Sequence, residues 1–469
     1  MKGLVLLFVI TFLFSCEKEN TEKKLTTAKS QKQAVQKFKN FDISPWKKAS
    51  VDWKQFEGIT LSILADAQPA FRALGPFLPY FEQLTGMKVG YQNVEQMRMR
   101  KIIKLDLSSG SGIYDVIPVG VIFLGEAYQN KWLENLYPYL NDKVLTDSKW
   151  YDFEDISKKS LELCQKNGEL LSIPFDFSAP IFFYRKDLFE KYNIPLPDTY
   201  QDVVNIKKKL QEELDKDGMK GVYAFATRAR PGVGDNTWTV IPAIRAYGGD
   251  MLDKDFKPIF DSPSAIKALT IYRDMVTGYG NPPNAQTLHF YEIRKLFREG
   301  KLASTILASH FFNEIDSEEK SPIWDKWDAT LNPKGDVSRE TNPWAWSFAI
   351  NSSSKNKKAA WLFIQWATSK ETARLLKTGG APARVSVWES DYYKSMNAPG
   401  LIGAVKWILK EGTVSSMELG IPEFTRVGEV TSIAFSEIFY GADVKKTLTE
   451  ASLKVEKIMA NGESRKGKK

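Results

Sequence analysis

Two residue types are nearly missing from this 469-residue chain: cysteine, at Cys16 and Cys164, and histidine, at His289 and His310. Two cysteines so far apart make neither a zinc pattern nor a disulfide framework. Two histidines argue against a His-based metal centre or a Ser-His-Asp triad. No cofactor and no metal are expected. A basic face on the body is missing too. Residues 17–40 hold seven Lys and three Glu, and 461–469 hold four basic residues and one Glu. With Lys2 these ends carry the whole net charge of +8, so residues 41–460 are close to neutral. A nucleic-acid binder needs concentrated charge on its folded part. The excess therefore reads as solvated ends, including a basic tail at 461–469, and no nucleic-acid partner is expected. Internal repeats and low-complexity segments are absent from the body.

What is present is an ordinary globular composition, with 43% hydrophobic and 26% charged residues. The length exceeds one small core and implies two domains or one bilobal body. Aromatics reach 13%, with 13 Trp. Such rings usually fill cores, and they also form flat platforms for ligands. The apolar run at the start is shorter than the about 20 residues of a membrane-spanning helix. It follows Lys2 and stops at Ser15-Cys16, which reads as a secretory leader over 1–16. Leu13-Phe14-Ser15-Cys16 resembles the bacterial lipobox, although Phe14 is bulkier than its usual occupant. The resemblance implies lipidation of Cys16 as the mature N-terminus, and an extracytoplasmic chain anchored to a bacterial membrane on its periplasmic or cell-surface side. A plain cleaved leader or an uncleaved anchor is the alternative. Residues 17–50 read as a flexible tether, with the body starting near Phe56.

In the body, "GITLSIL", "MKVGYQNV" and "YDVIPVGV" read as strands, separated by helical patterns. "GVYAFAT", "KLASTILAS" and "NPWAWSFAI" follow as further strands, and Thr199 is placed to cap a helix. Beyond 383 the chain reads as mostly helical. Strand alternating with helix argues for α/β layers and a mainly parallel sheet. Ligands of such sheets sit beyond the carboxyl ends of the strands. That directs attention to Asp66-Ala67-Gln68 and Gly120-Val121.

The order "SGSGIYDVIPVG", "WLENLYPYL", "IPFDFSAPIFFYRKDLFEKYNIPLPDTY", "FREGKLASTILASHFF", "NPWAWSFAINSSSKNKKAAWLFIQWATSKETA" and "GGAPARVS" resembles the extracellular solute-binding proteins of ABC importers, in their sugar-binding group. "RARPGVGDN" with "AYGGDMLD" is similar to the subgroup that binds polyols. The resemblance implies an α/β fold of the periplasmic-binding-protein type II, a bilobal clamshell with ligand trapped between lobes. Chain crossings are expected near Pro174–Ser178, Asn342–Ser347 and Ala381–Ser386. Lobe one is expected over 57–173 plus 348–380, and lobe two over 180–341 plus 383–460. The implied function is capture of a sugar or sugar alcohol by a monomer and its delivery to permease subunits, without catalysis. A ligand-sensing module of a signalling system is the second reading, and a glycoside hydrolase the third.

A sugar site needs planar polar groups for hydroxyls and an aromatic platform for C–H faces. Asp66 and Gln68, in the first strand–helix loop, fit the polar role, with helix capping as the other reading of Asp66. Phe175 and Asp176 lie at the first crossing, where a buried carboxylate needs a partner. In "ARPGVGDNTW", Asp235, Asn236 and Trp238 are candidates beside Arg230, with Gly232 and Gly234 freeing the backbone. The resemblance also points to His310 and Phe311 after a strand, and to Arg384 in the hinge-like "GGAPARVS". Arg384 is equally placed to pair with a carboxylate. Trp344 and Trp346 share one strand face, as platform or as core.

Overall fold

The computed structural model describes residues 42–466, apart from Gly234, 377–380, Asn397 and 414–419. Cys16 and the rest of the leader lie outside the described residues. Eleven strands are found among them: β1 (Thr60–Asp66), β2 (Lys88–Val94), β3 (Val116–Gly120), the two-residue hairpin strands β4 (Gln165–Lys166) and β5 (Glu169–Leu170), β6 (Ile173–Ser178), β7 (Pro180–Arg185), β8 (Tyr223–Thr227), β9 (Leu302–Ala308), β10 (Trp327–Leu331) and β11 (Trp344–Ile350). Two sheets organise nine of them, and β4 pairs with β5 apart. The first has the order β2-β1-β3-β11-β6 and the second β10-β7-β9-β8. In the first, β1 runs parallel to β2 and β3, and β11 runs antiparallel to β3 and β6. In the second, β8 and β9 are parallel, and β7 runs antiparallel to β9 and β10. Helices connect the parallel strands, as the chain geometry of such connections requires. Two α/β bodies joined by crossing segments are the expected fold class.

The chain changes sheet at three places. Ala179 alone separates β6 from β7. Residues 332–343 lead from β10 back to β11. The third passage is Ala381–Arg384, which lies against β6: Phe177 N donates to Ala381 O at 2.7 Å, and Ala381 N donates to Asp176 Oδ1 at 2.8 Å. The second sheet then receives the C-terminal helices. Pro399–Glu411 packs on β10, and Phe424–Phe439 packs on helices Asn236–Ala246 and Pro263–Val276. The expected cap at Thr199 forms, with Asp202 N donating to its hydroxyl at 3.0 Å.

The core under the first sheet is aromatic. Helix Lys357–Ala367 is buried on every side from Ala359 to Ala367, as its run "AAWLFIQWA" dictates. Two of its polar groups find partners: Trp361 Nε1 donates to Thr146 Oγ1 at 2.8 Å, and Gln365 Nε2 to Leu145 O at 3.0 Å, while Gln365 Oε1 and Trp366 Nε1 are buried without one.

Two expected boundaries move. The tether was expected through residue 50, but 42–50 belong to the body. Ser44–Lys47 is helical, Trp46 is fully buried, and its Nε1 donates to Thr372 Oγ1 at 3.2 Å. Its ring meets Trp366 at 6.3 Å, and Trp53 Nε1 donates to Trp46 O. A segment poor in apolar residues is held by one large one, which a compositional reading averages away. The basic tail likewise starts later than residue 461, because Arg465 makes a two-pronged ion pair with Glu456 and donates to Phe256 O.

Candidate ligand cleft

The strand ends converge. β1 stops at Asp66, β3 at Gly120, β8 at Thr227 just before Arg228, and β9 at Ala308 just before His310. Between them lies a cavity of about 50 Å³. Gln68, Gln96 and Arg100 reach it from the first α/β body, and Trp344 and Trp346 from β11. Arg228, Trp238, Phe290, Arg294, His310 and Phe311 close it from the second body, with Ser178 at the crossing.

The two indoles of β11 sit 5.4 Å apart at 65°, and Trp346 rests edge-on against Phe71. Gly120 makes room for Trp344: a Cβ there would come within 2.4 Å of the indole. On the opposite wall the Arg228 guanidinium lies 4.3 Å from the Trp238 ring centre and 5.0 Å from that of Phe290. Arg294 is ion-paired with Glu314 and lies 5.8 Å from the Phe311 ring centre. Burial, then repulsion by Arg294 and Arg228, lowers His310 to about 3, so its imidazole stays neutral. Around this cavity Trp238 Nε1, Trp344 Nε1, Arg294 Nε and His310 Nδ1 are buried without a hydrogen-bond partner. Buried polar atoms are mostly paired in folded proteins; among those of the described residues that are not, these four belong to residues lining the cavity from both sides.

Of the residues expected from sequence, Gln68, Trp238, His310, Phe311, Trp344 and Trp346 meet at the cavity. The other six are not among its lining. Asp66 stands one layer back, where Gln96 Nε2 approaches it at 3.4 Å. It caps no helix, since Gln68 occupies that position. Phe175 is core, packed on Phe71 at 5.4 Å and Phe348 at 5.0 Å. Asp176 ties two chain crossings through Ala381 N, with Oδ2 3.6 Å from His310 Nδ1. Asp235 faces His289 at 3.4 Å and Arg230 at 3.7 Å. Asn236 donates to Ser432 O at 2.8 Å and anchors a C-terminal helix. Arg384 donates to Thr368 O and Asp152 O, lies over Tyr151 and approaches Asp155, so it fills the structural role that its sequence left open. Gly234 lies outside the described residues. Phe175 and Arg384 border a separate void of about 10 Å³, too small for a ligand.

Gln96, Arg100, Arg228, Phe290 and Arg294 were not read from the sequence. Two of them left a signal. Arg294 shares the buried face of its helix with Phe290, Ile293 and Phe297, an apolar-stripe position held by a cation. Arg228 directly follows the carboxyl end of β8.

Burial pushes Asp66, Asp176 and Asp235 each up to about 7. These values exceed the 3.8 of an unperturbed aspartate, so each group holds its proton more tightly folded than unfolded. The resulting stabilisation is complete below about pH 3.8 and is lost as pH rises through about 7. Asp176→Asn keeps an oxygen for Ala381 N and cannot ionise. Relative to the unaltered protein, its melting temperature is expected to improve between about pH 5 and about pH 8. A difference independent of pH would show that Asp176 does not titrate there.

Comparison with known proteins agrees with this geometry. The sequence pattern of the bacterial extracellular solute-binding protein family matches residues 64–374. The erythritol/L-threitol-binding protein of Mycolicibacterium smegmatis is 27% identical over 366 residues, 73% of this chain and 74% of that protein. The mannitol-binding protein of Pseudomonas aeruginosa is 26% identical over 60% of this chain and 62% of its own. The ABC-transporter solute-binding protein of Agrobacterium radiobacter K84, solved with ribitol, superposes with a TM-score of 0.76 at 25% identity, over 86% of this chain and 99% of that one. The present chain is a member of the bacterial extracellular solute-binding protein family.

Proposed function

We propose that the protein is the extracytoplasmic substrate-binding component of an ABC importer, that it holds a sugar or sugar alcohol in the cleft between its lobes, and that it passes the ligand to membrane permease subunits. The observation that carries this reading is the cavity wall itself: two indole platforms facing guanidinium and amide donors, with buried N–H groups lacking partners. Indole faces suit the C–H surfaces of a polyol, and fixed donors suit its hydroxyl oxygens. The relatives named for erythritol, mannitol and ribitol support the same ligand class. In this reading lobe one comprises the first sheet with residues 42–178 and 344–376, and lobe two comprises 180–331 with the C-terminal helices. Ligand touching both lobes would stabilise the closed form by shifting an open–closed equilibrium. Binding without chemistry fits the wall, whose lining includes no carboxylate among the described residues, whereas glycoside hydrolysis requires two flanking the scissile bond.

A thermal-shift screen with monosaccharides, disaccharides, erythritol, ribitol and mannitol tests the ligand class. A ligand at 100 times its Kd should stabilise by about 2.7 kcal/mol. A melting curve that none of them moves would remove the carbohydrate and polyol reading.

Lipid anchoring at Cys16 belongs to the same proposal and rests on Leu13-Phe14-Ser15-Cys16. Several acyl chains would hold the protein on the membrane, since burial contributes about 0.8 kcal/mol per CH₂. Cys16→Ala is expected to move the protein from the membrane fraction to the soluble fraction of its host. Retention in the membrane fraction would show that another element anchors it.

A further inference from the structure

Every hydroxyl of a buried sugar or polyol carries a hydrogen that needs an acceptor, and the cavity lining is poor in acceptors. Its three arginines and three indoles offer N–H groups only, and no Asp or Glu is among the described lining residues. Side-chain acceptors are left at Gln68, Gln96, Ser178 and His310. Behind His310 stands a carboxylate. Asp176 Oδ2 lies 3.6 Å from His310 Nδ1, and Nδ1 is buried with no hydrogen-bond partner. The other oxygen of Asp176 is committed, because Oδ1 accepts from Ala381 N at 2.8 Å. Both residues are fixed to the same chain crossing. Asp176 is in β6, opposite Trp346, where the strand carries one extra residue, Phe175. Ser309, the residue before His310, donates its N–H to Ala179 O at 2.8 Å, and its hydroxyl accepts from Ala179 N at 3.2 Å. The pair therefore belongs to the crossing, with one edge of the imidazole toward Asp176.

We propose, resting on the assignment of this cavity as a sugar or polyol site, that Asp176 is a positioning residue for the ligand: it holds the His310 ring proton on Nδ1 and so leaves the Nε2 lone pair to accept a ligand hydroxyl. A neutral imidazole has one N–H and one lone pair, and the group facing one nitrogen decides the role of the other. Contraction of the 3.6 Å gap by about 0.5 Å brings Nδ1 and Oδ2 within hydrogen-bond length. The charged and titratable groups acting on the pair are Arg294 and Arg228, which disfavour a second proton on His310, and Tyr393, within electrostatic reach of Asp176. His289 is built the opposite way. Its Nδ1 accepts from Tyr291 N at 3.4 Å and its Nε2 lies 3.4 Å from Asp235 Oδ2, which puts its proton on Nε2. The only two histidines of the chain are thus expected in opposite tautomers.

Nitrogen NMR of the protein labelled at its histidines tests this, because an imidazole nitrogen bearing hydrogen and one bearing a lone pair resonate far apart. Spectra are taken at about pH 8.5, above the value of about 7 at which Asp176 ionises. His289→Gln or His310→Gln assigns the signals by removing one set. The unaltered protein is expected to carry the His310 proton on Nδ1 and the His289 proton on Nε2. Saturation with a ligand found in the thermal screen should move the His310 Nε2 signal and leave His289 in place. Asp176→Asn, whose amide donates to Nδ1, should transfer the proton to Nε2 and raise the Kd of that ligand roughly tenfold or more. A merely structural Asp176 would change affinity without moving the proton. A His310 proton on Nε2 in the unaltered protein overturns the proposal and leaves the sugar reading standing. So does a ligand that shifts the melting curve without moving His310 Nε2, or an Asp176→Asn variant that binds within about twofold of the unaltered protein. A silent thermal screen overturns the sugar reading and with it the role of Nε2, while the tautomers are still read on the free protein.

Discussion

Replacing Trp344 with alanine is expected to raise the Kd of the cleft ligand about 30-fold, the equivalent of about 2 kcal/mol. Three features of the position set this size. Trp344 is 9% exposed and turned toward the cavity, so its indole is already ordered before a ligand arrives. It stands against Trp346 at 65°, and its truncation would remove one plane of a two-plane platform. Its Nε1 is buried without a partner, so a donor is lost together with the surface. Trp344→Phe separates the two contributions. Phenylalanine keeps an aromatic face and loses the N–H, and a net hydrogen bond contributes about 1 kcal/mol, or roughly fivefold in affinity. The measurement is titration calorimetry on both variants with a ligand found in the thermal screen. An alanine variant that binds within about twofold of the unaltered protein would take Trp344 out of the site. Gly120 belongs to the same device, since any side chain there would meet the indole.

The second large effect concerns stability. Trp46→Ala is expected to lower the unfolding free energy by about 3–5 kcal/mol, the range for deleting a buried large aromatic. Trp46 has no exposed surface, packs on Trp366 and donates to Thr372. Around it the layer continues through Phe81 and Phe363, each within 6 Å of Trp366 between ring centres. Removing the ring opens a cavity in a rigid aromatic layer that has little freedom to collapse. It also removes one donor from the Thr372 hydroxyl, which keeps its bonds to Trp366 O and Ser369 Oγ. Urea unfolding measures the effect as a lower midpoint at unchanged slope. A midpoint equal to that of the unaltered protein would mean that 42–50 behave as the tether their composition suggests.

These two positions illustrate what could be read from the sequence. Trp344 and Trp346 were legible because strand alternation places i and i+2 on one face, and the strand "NPWAWSFAI" forms as Trp344–Ile350. The strands around them were legible for the same reason: the β-branched runs became β1, β2, β3, β8 and β9. β10 escaped because "WDATL" is short and carries no alternation strong enough to separate it from a loop. Within the site, Gln68 could be found from its place after a strand, whereas His310 came with the family resemblance. Arg100, on a helix, could not be found, because a cation in an amphipathic pattern normally marks the solvated face. Arg100 takes part in the cleft through the packing of its helix on β1, a relation that local spacing does not encode. The aspartates stand apart from the cavity lining. Asp66, Asp176 and Asp235 have the chemistry of sugar ligands, and one oxygen or edge of each meets a neighbouring amide, peptide or cation.

The strand order of the first sheet has a consequence for the time course of synthesis. β11 lies between β3 and β6, although it comes after both and after every strand of the second sheet. Until β11 is in place, β3 and β6 each present an open edge with unpaired N–H and C=O groups, the feature that templates misassociation. The sheet closes only by pairing strands remote in sequence, which is slow relative to local contacts. The most exposed period of this chain's life is therefore the interval in which its second sheet is complete and its first still lacks an inner strand.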